Sequence, residues 1–285
     1  MKKLFFILIS ILAVSLLFAF DWPQNEIMSD SFYSYFAQLR GNTISTSLVF
    51  SESKEVKAAD DGRVLAVISE HNEDEIFEST LGNAVILSHK DSLVTVYANL
   101  DEENLSSLYK MKDINTGTSF GTTGLSGWQE GQACLEFQVL DNKNKTYVNP
   151  RILMPRVGKE LQLTIKDVIA VSKKGVLYDL GTVKTMPSGV YQLYRDKQEI
   201  AMPYKTTVYV NGAVAESLTY DTLSEKNGRI SVNGKKNYDI SIVYPEATKQ
   251  FLGEITLPKG KAQIMVVLAD ILGKERQIIY TADVR

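Results

Sequence analysis

Three Asn-Gly pairs, Asn211-Gly212, Asn227-Gly228 and Asn233-Gly234, lie in the last third of the chain. Such pairs favour the tight turns that join antiparallel strands, because both residues tolerate positive φ. In the segment Thr206–Val210 before the first pair, successive side chains are predicted to alternate between a buried and an exposed face. This is the period of a strand with one buried face. The pattern therefore predicts short strands joined by turns.

Short strands separated by turn signals are predicted throughout residues 160–285. Leu161, Leu163, Ile165 and Val168 open this region, and further strands are predicted at Val190–Tyr194, Thr206–Val210, Tyr238–Tyr244, Gly253–Leu257, Ala262–Ala269 and Gln277–Ala282. Seven or eight strands is the number expected of an immunoglobulin-like β-sandwich. Asp270-Ile271-Leu272-Gly273-Lys274 also resembles the D-x-x-G-N turn before the last strand of many bacterial immunoglobulin-like modules. We expect residues 160–285 to form such a sandwich.

The amino terminus has the pattern of an export signal. Met1-Lys2-Lys3 precedes an apolar run from Leu4 to Phe20, and Asp21-Trp22-Pro23 ends it. This arrangement predicts a secretory signal peptide over residues 1–20, cleaved near Ala19 or Phe20, and a periplasmic or cell-surface protein. The alternative is an uncleaved membrane anchor, for which the run is at the lower limit of length.

Composition excludes two classes of protein. The 31 basic and 34 acidic residues form no basic patch, so nucleic acid is not expected as a partner. The single cysteine excludes an intrachain disulfide, and with it a small disulfide-stabilised scaffold.

Four segments carry a resemblance to a known family. Val56–Val64 is similar to V-x-A-x-x-D-G-x-V, Gly82–His89 to G-x-x-V-x-I-x-H, and Thr95–Leu100 to T-x-Y-x-H-L. Gly121–Pro150 is similar to G-x-x-G-x-S-G followed by a strand H-x-H-F-E-V and V-N-P. Over Gly41–Met154 the chain therefore resembles the lysostaphin/LytM zinc metallopeptidases. The resemblance implies an all-β fold: a LytM-type domain with the duplicated hybrid motif over residues 41–155, then the sandwich.

The residues at the family's zinc positions are replaced. The resemblance places Asn99, Cys134 and Glu136 at three histidine positions. The His-x-x-x-Asp pair of the family falls on Ser45 with Val49, or on Thr43 with Ser47. None of these four residues is a usual zinc ligand. We therefore expect a pseudoenzyme with no catalytic residues, no metal and no cofactor.

The two histidines, His71 and His89, match no ligand position and are expected to be structural. One alternative is a different metal site, in which Cys134 and Glu136 share a strand face and His89 converges on them. Such a site would require the third ligand to converge by chance on Cys134 and Glu136.

The predicted function is noncatalytic binding in the cell envelope. The vestigial groove is expected to be lined by Tyr97, Asn99, Trp128, Cys134 and Glu136, with Ser45 and Val49. Its expected partner is an envelope protein such as a peptidoglycan amidase, or peptidoglycan itself, because inactive LytM domains regulate amidases. The alternatives are an endopeptidase with a non-standard site, and a structural protein that acts through its sandwich.

Two expectations concern the connecting segments. Asp30–Arg40, within a lead segment over residues 21–40, has apolar residues at helical spacing and predicts a short helix. Arg156–Lys159 is expected to be a protease-sensitive hinge between two separately folded domains.

Overall fold

The computed structural model describes residues 19–69, 79–102, 105–128 and 131–285. Most of the predicted signal peptide and His71 lie outside these residues. The described chain is almost entirely β, which confirms the predicted all-β class. Within the described ranges, no helix has the length and apolar character needed to cross a membrane.

The amino-terminal half contains twelve of the described strands. They are β1 (Phe32–Ser34), β2 (Leu39–Arg40), β3 (Thr43–Ile44), β4 (Leu48–Phe50), β5 (Glu55–Lys57), β6 (Gly62–Ile68), β7 (Ala84–Ser88), β8 (Leu93–Ala98), β9 (Asp113–Ile114), β10 (Ser119–Thr122), β11 (Glu136–Asp141) and β12 (Thr146–Val148). Short helices lie at Lys90–Ser92, Leu105–Leu108 and Pro150–Ile152.

The central sheet of this half has the order β12-β11-β8-β7-β6-β9, and β4 pairs with one end of β11. One face of the sheet packs on a core that includes Val85, Tyr97, Phe120 and Phe137. The register pairs Glu136 with Ala98 on β8 and Phe137 with Tyr97. Because alternate strand residues point to opposite faces, Glu136 lies on the face opposite that core.

The carboxy-terminal half has eleven strands. They are β13 (Ile169–Ser172), β14 (Leu177–Asp179), β15 (Thr185–Met186), β16 (Gly189–Asp196), β17 (Lys205–Val210), β18 (Ala213–Lys226), β19 (Arg229–Asn233), β20 (Asn237–Asp239), β21 (Lys249–Leu257), β22 (Gly260–Ala269) and β23 (Glu275–Val284). A helical turn occupies Ile240–Val243.

Two sheets of this half face each other. One has the order β14-β13-β16-β21, and the other contains β15-β23-β22-β17-β18. Leu193 and Ile255 from the first sheet share a core with Val208, Ile264 and Val266 from the second. The two-sheet packing is that of a sandwich, and its assignment to the immunoglobulin-like type stays a prediction.

The two halves are joined by a continuous sheet. Thr146–Val148 of β12 pairs antiparallel with Thr222–Ser224 of β18. Phe36 and Ile44 from the amino-terminal half also share a buried cluster with Tyr220, Leu223 and Phe251. The sequence pattern does not predict this interface, because the pairing joins residues more than 70 positions apart.

The predicted helix at Asp30–Arg40 is wrong. Phe32–Ser34 forms β1, which pairs with β4, and the following residues turn into β2. Ala37 has a positive φ of 68°, which interrupts any helix. The apolar residues at helical spacing instead fill two cores, with Phe32 in one and Phe36 in the other.

Two predicted strand boundaries also differ from the structure. Residues 161–168 are irregular, and the first strand of the sandwich starts at Ile169. Tyr238–Tyr244 begins in β20 but turns helical at Ile240, because the Asp239 side chain accepts a hydrogen bond from the Ser241 backbone N–H. An aspartate in this position caps a helix and ends the strand.

Candidate functional site

The candidate site surrounds Glu136, on the face of the sheet away from the core. Glu136 is 4% exposed and pairs across the strands with Ala98 on one side and Val49 on the other. A buried carboxylate must be paired to remain ionised. Its partners therefore decide what the site can do.

Arg40 forms a two-point ion pair with Glu136. Its Nη1 lies 2.6 Å from Oε1 and its Nη2 lies 3.0 Å from Oε2 of the carboxylate. Ser47 Oγ donates a further hydrogen bond to Oε1 at 2.7 Å, and Ser45 Oγ lies 3.3 Å from Ser47 Oγ. Parallel bonds of this kind are the stronger form of a guanidinium–carboxylate contact.

Arg40 is positioned by the hairpin of β2 and β3. Gly41, with a φ of 55°, and Asn42 form the turn between Arg40 and Thr43. The carboxy-terminal half holds the residues before this hairpin: Gln38 Nε2 donates to Glu199 O, and Tyr244 Oη donates to Ala37 O. The sequence prediction missed Arg40 because it assigned these residues to a helix. The Gly-Asn pair at 41–42 is the signal that predicts the turn.

A cleft of about 450 Å³ opens beside the ion pair. Its lining combines side-chain hydroxyls, one amide and one exposed indole with two residues near the junction with the second domain. The lining residues are Arg40, Gly41, Thr43, Ile44, Ser45, Thr46, Ser47, Thr80, Leu81, Trp128, Glu136, Gln138, Tyr147 and Ile230. Ile230 comes from β19 of the second domain, so the cleft is a feature of the whole chain.

Three of the predicted groove residues meet in this cleft: Ser45, Trp128 and Glu136. The indole of Trp128 is free to contact a ligand, since the residue is 63% exposed. Val49 is buried opposite Glu136 and lines a smaller neighbouring cavity of about 200 Å³ instead.

The structure contradicts the prediction that Tyr97 forms a wall of the groove. Its ring lies in the core, with ring centroids 4.9 Å from Phe120 and 5.0 Å from Phe137. Its hydroxyl accepts a hydrogen bond from Ala59 N at 2.8 Å, and burial raises the pKa of Tyr97 to about 12. Tyr97 faces the core because it pairs directly with Phe137 across the strands.

Asn99 and Cys134 also lie outside the cleft. Both are buried, and Asn99 Nδ2 donates to Cys134 O at 2.8 Å and to Gln132 O at 2.9 Å. Asn99 Oδ1 accepts from Gly127 N at 3.0 Å. Asn99 therefore holds the loop that carries Trp128 to strand β8, and its role is structural.

The alternative metal site is not assembled. His89 Nε2 lies 2.7 Å from Thr95 Oγ1, whereas Glu136 pairs with Ala98, three residues or about 10 Å further along the same strand. Within the described parts of the chain, no three His, Cys, Asp or Glu side chains form a group that could hold a metal.

The residues at the candidate site do not fit the family's zinc ion. The expected His-x-x-x-Asp positions carry only hydroxyl or isopropyl groups, whether they fall on Ser45 and Val49 or on Thr43 and Ser47. The Glu136 carboxylate already binds a guanidinium. A zinc site of this type needs three protein ligands. The positive charge of Arg40 would also oppose a divalent cation at this position.

Family comparison agrees with the first half of the chain. The model of peptidase family M23 matches residues 43–150, and a second family model matches residues 162–285. An uncharacterized protein of Treponema pallidum (strain Nichols) is 30% identical over 131 residues, which cover 43% of this chain and 87% of that protein.

Three solved structures are similar at low sequence identity. A zinc-containing peptidase from Vibrio cholerae is 20% identical over 43% of this chain and 36% of its own, with a TM-score of 0.33. The SpoIIIAH–SpoIIQ complex is 16% identical over 46% and 96%, with a TM-score of 0.32. The M23 metalloprotease pseudoalterin is 14% identical over 78% and 98%, with a TM-score of 0.31.

Proposed function

We propose, from the match of residues 43–150 to the model of peptidase family M23, that the chain is a noncatalytic binding protein of the cell envelope. One observation carries the proposal: the Arg40–Glu136 ion pair stands where the family's zinc-bound histidine is expected. Zinc hydrolases depend on a metal-bound water for attack. A guanidinium on the carboxylate supports a site that binds a ligand without generating that nucleophile.

The cleft beside the ion pair is the proposed binding surface. Concave surfaces with a few converging polar groups are the usual places for ligands. Trp128 supplies an exposed aromatic face, and Thr46, Ser47 and Gln138 supply donors and acceptors. The ligand that we propose is peptidoglycan or an envelope protein that acts on it, with regulation of a peptidoglycan amidase as the specific form.

The binding test uses Trp128→Ala and a matched control. Trp128 is 63% exposed and Tyr109, outside the cleft, is 54% exposed, so both can be replaced without disturbing the core. Loss of an aromatic anchor typically costs about 2 kcal/mol, which is roughly a 30-fold weaker complex. We expect Trp128→Ala, but not Tyr109→Ala, to weaken co-sedimentation with isolated peptidoglycan sacculi, or capture of a purified amidase. Equal affinity of wild type and Trp128→Ala for both probes would contradict the cleft as the binding surface.

Whether the protein itself cleaves peptidoglycan is tested separately with labelled sacculi. The purified protein alone should release no label, with or without added zinc. Added to a purified amidase, it should change the rate of label release, and Trp128→Ala should reduce that effect. Chelator-sensitive release by the protein alone would support the alternative, an endopeptidase with a non-standard site.

We also propose that the protein is exported, because the apolar run Leu4–Phe20 follows the positively charged start Met1-Lys2-Lys3. Phe20 is buried in the core, its N–H donates to Leu153 O at 3.1 Å, and its ring centroid lies 5.0 Å from His89. Cleavage after Phe20 would remove a core side chain, so the mature chain should retain Phe20. Amino-terminal sequencing of protein from the native envelope checks this, and a start at Asp21 would contradict it.

A further inference from the structure

The last strand of the second domain has a long open edge. Strand β23 pairs with β22 along its whole length. On its other side, β15 covers only Asp283 and Val284. Among the described residues, no strand pairs with Glu275–Thr281 on that side. We call these seven residues the open edge.

The hydrogen bonds at the end of β23 show which backbone groups point outward along the open edge. Asp283 N donates to Lys184 O, and Arg285 N donates to Met186 O, so odd-numbered residues point away from β22. The register between β22 and β23 has no irregularity. Since the direction alternates along a strand, Glu275, Gln277, Ile279 and Thr281 each direct one N–H and one C=O outward.

This edge lacks the usual protection. Native proteins shorten, bulge or cover edge strands, because a straight edge is a template for another strand. The open edge has no bulge in its pairing with β22, and its odd-numbered residues are all exposed, including Ile279 at 49%. On the other face, Ile278 and Tyr280 are only partly buried against the sandwich core. A partner strand would therefore cover apolar surface as well as backbone groups.

We propose that the open edge binds the same edge of a second copy of this chain, antiparallel and about a two-fold axis at Ile278. In this register Glu275 pairs with Thr281, Arg276 with Tyr280, and Gln277 with Ile279. The pairs formed by odd-numbered residues exchange two hydrogen bonds each, so all the outward backbone groups of the seven residues are paired. A register centred on Gln277 leaves Thr281 unpaired, and one centred on Ile279 leaves Glu275 unpaired.

The side chains of the open edge are compatible with self-pairing. Its two charged residues, Glu275 and Arg276, face Thr281 and Tyr280 of the second copy, so like charges are not opposed. An arginine over a tyrosine ring is an attractive contact. The two Ile278 side chains meet on the axis, next to the core. A patch that is complementary to itself is what a two-fold interface requires.

Oligomeric state tests the proposal through Ile279→Pro. Proline at 279 removes an N–H that faces the open edge, whereas the hydrogen bonds between β22 and β23 use the even-numbered residues. The mature protein should show a concentration-dependent doubling of mass in sedimentation equilibrium. The doubling should be lost in Ile279→Pro and kept in the matched variant Ile279→Val. A monomer at all concentrations, or a dimer that persists in Ile279→Pro, would overturn the proposal.

Cross-linking tests the register independently, even if the proline variant does not fold. In the proposed pairing the two Ile278 Cα atoms lie about 4.5 Å apart, within the range of a disulfide. The two Thr281 residues are separated by about 20 Å. Ile278→Cys should therefore form a covalent dimer on mild oxidation and Thr281→Cys should not, while native Cys134 stays buried. Cross-linking of Thr281→Cys, or none by either variant, would overturn the register.

Discussion

At the scale of single residues, the charge on Glu136 explains the arrangement around it. A carboxylate at this depth is stable only with a counter-ion and hydrogen bonds. The chain supplies both, since Arg40 binds the two oxygens and Ser47 donates to one of them. Arg40 thus balances the negative charge of the Glu136 carboxylate.

The first prediction concerns this ion pair. Arg40→Ala leaves the buried Glu136 carboxylate without its counter-ion, and we expect the free energy of unfolding to fall by about 3 kcal/mol. The double variant Arg40→Ala/Glu136→Gln should recover much of that loss, because the remaining side chain is neutral. Urea denaturation measures both, with the exposed Arg63→Ala as control. Equal free energies of unfolding for Arg40→Ala and Arg63→Ala would contradict a stabilising role of the ion pair.

The second prediction concerns the buried hydroxyl of Tyr97. Burial raises its pKa to about 12 in the folded protein, from an ordinary value of 10.0. The folded state therefore holds the proton more tightly than the unfolded state. The stability that depends on this proton is complete below pH 10 and falls as the pH rises from 10 to 12, by up to about 2–3 kcal/mol. Tyr97→Phe should make the decline of unfolding free energy over this range shallower. An unchanged slope in that variant would contradict the prediction.

At the scale of elements, the end of β8 organises the loop that carries Trp128. The strand ends at Ala98, and Asn99 takes a positive φ of 65°, which asparagine tolerates better than most residues. Its side chain then reaches Gly127, Gln132 and Cys134. One residue thus turns the chain and holds both ends of the loop.

The third prediction separates these two roles of Asn99. Asn99→Gly keeps the backbone conformation and loses three hydrogen bonds, each worth about 1 kcal/mol, so it should destabilise the protein by about 3 kcal/mol. Asn99→Ala should cost roughly 1 kcal/mol more, because alanine is strained at this φ. Urea denaturation gives both values, and proteolysis within residues 124–134 should accelerate in each variant. Equal stability of wild type and Asn99→Gly would show that the side chain does not hold the loop.

At the scale of the whole molecule, the two domains are not separate bodies. The pairing of β12 with β18 makes one sheet of both, and Phe36 and Ile44 are buried among Tyr220, Leu223 and Phe251. The segment predicted to be a hinge follows Arg151, whose guanidinium forms a buried ion pair with Glu160. This interface also supplies Tyr147 and Ile230 to the cleft.

The fourth prediction follows from that interface. We expect the full chain to unfold in one cooperative transition, with tryptophan fluorescence, which reports on Trp22 and Trp128, coincident with far-ultraviolet circular dichroism. Leu223→Ala, in the shared cluster, should lower the free energy of unfolding by about 2–5 kcal/mol. Both midpoints should shift together. Two separated transitions, or two resistant fragments after proteolysis near residues 156–159, would instead support the independent domains expected from the sequence.

The sequence by itself predicted several strands of the second domain and the family resemblance. Alternating segments and Asn-Gly turns are local signals, and Asn211-Gly212 and Asn227-Gly228 do join β17 to β18 and β18 to β19. The motif from Gly121 to Pro150 is likewise contiguous in the chain, so it could be matched without a structure. Local signals failed where a contact elsewhere decided the conformation, as at Asp30–Arg40, whose apolar residues are divided between two cores.

Only the tertiary structure decided which residues form the site. Arg40 reaches Glu136 across 96 positions, and Tyr97 is turned into the core by its pairing with Phe137. Asn99 donates a hydrogen bond to the backbone oxygen of Cys134, away from the cleft. The walls of the cleft come from both domains. Such contacts depend on strand register and on the packing of two domains, and neither is encoded within any short segment of the chain.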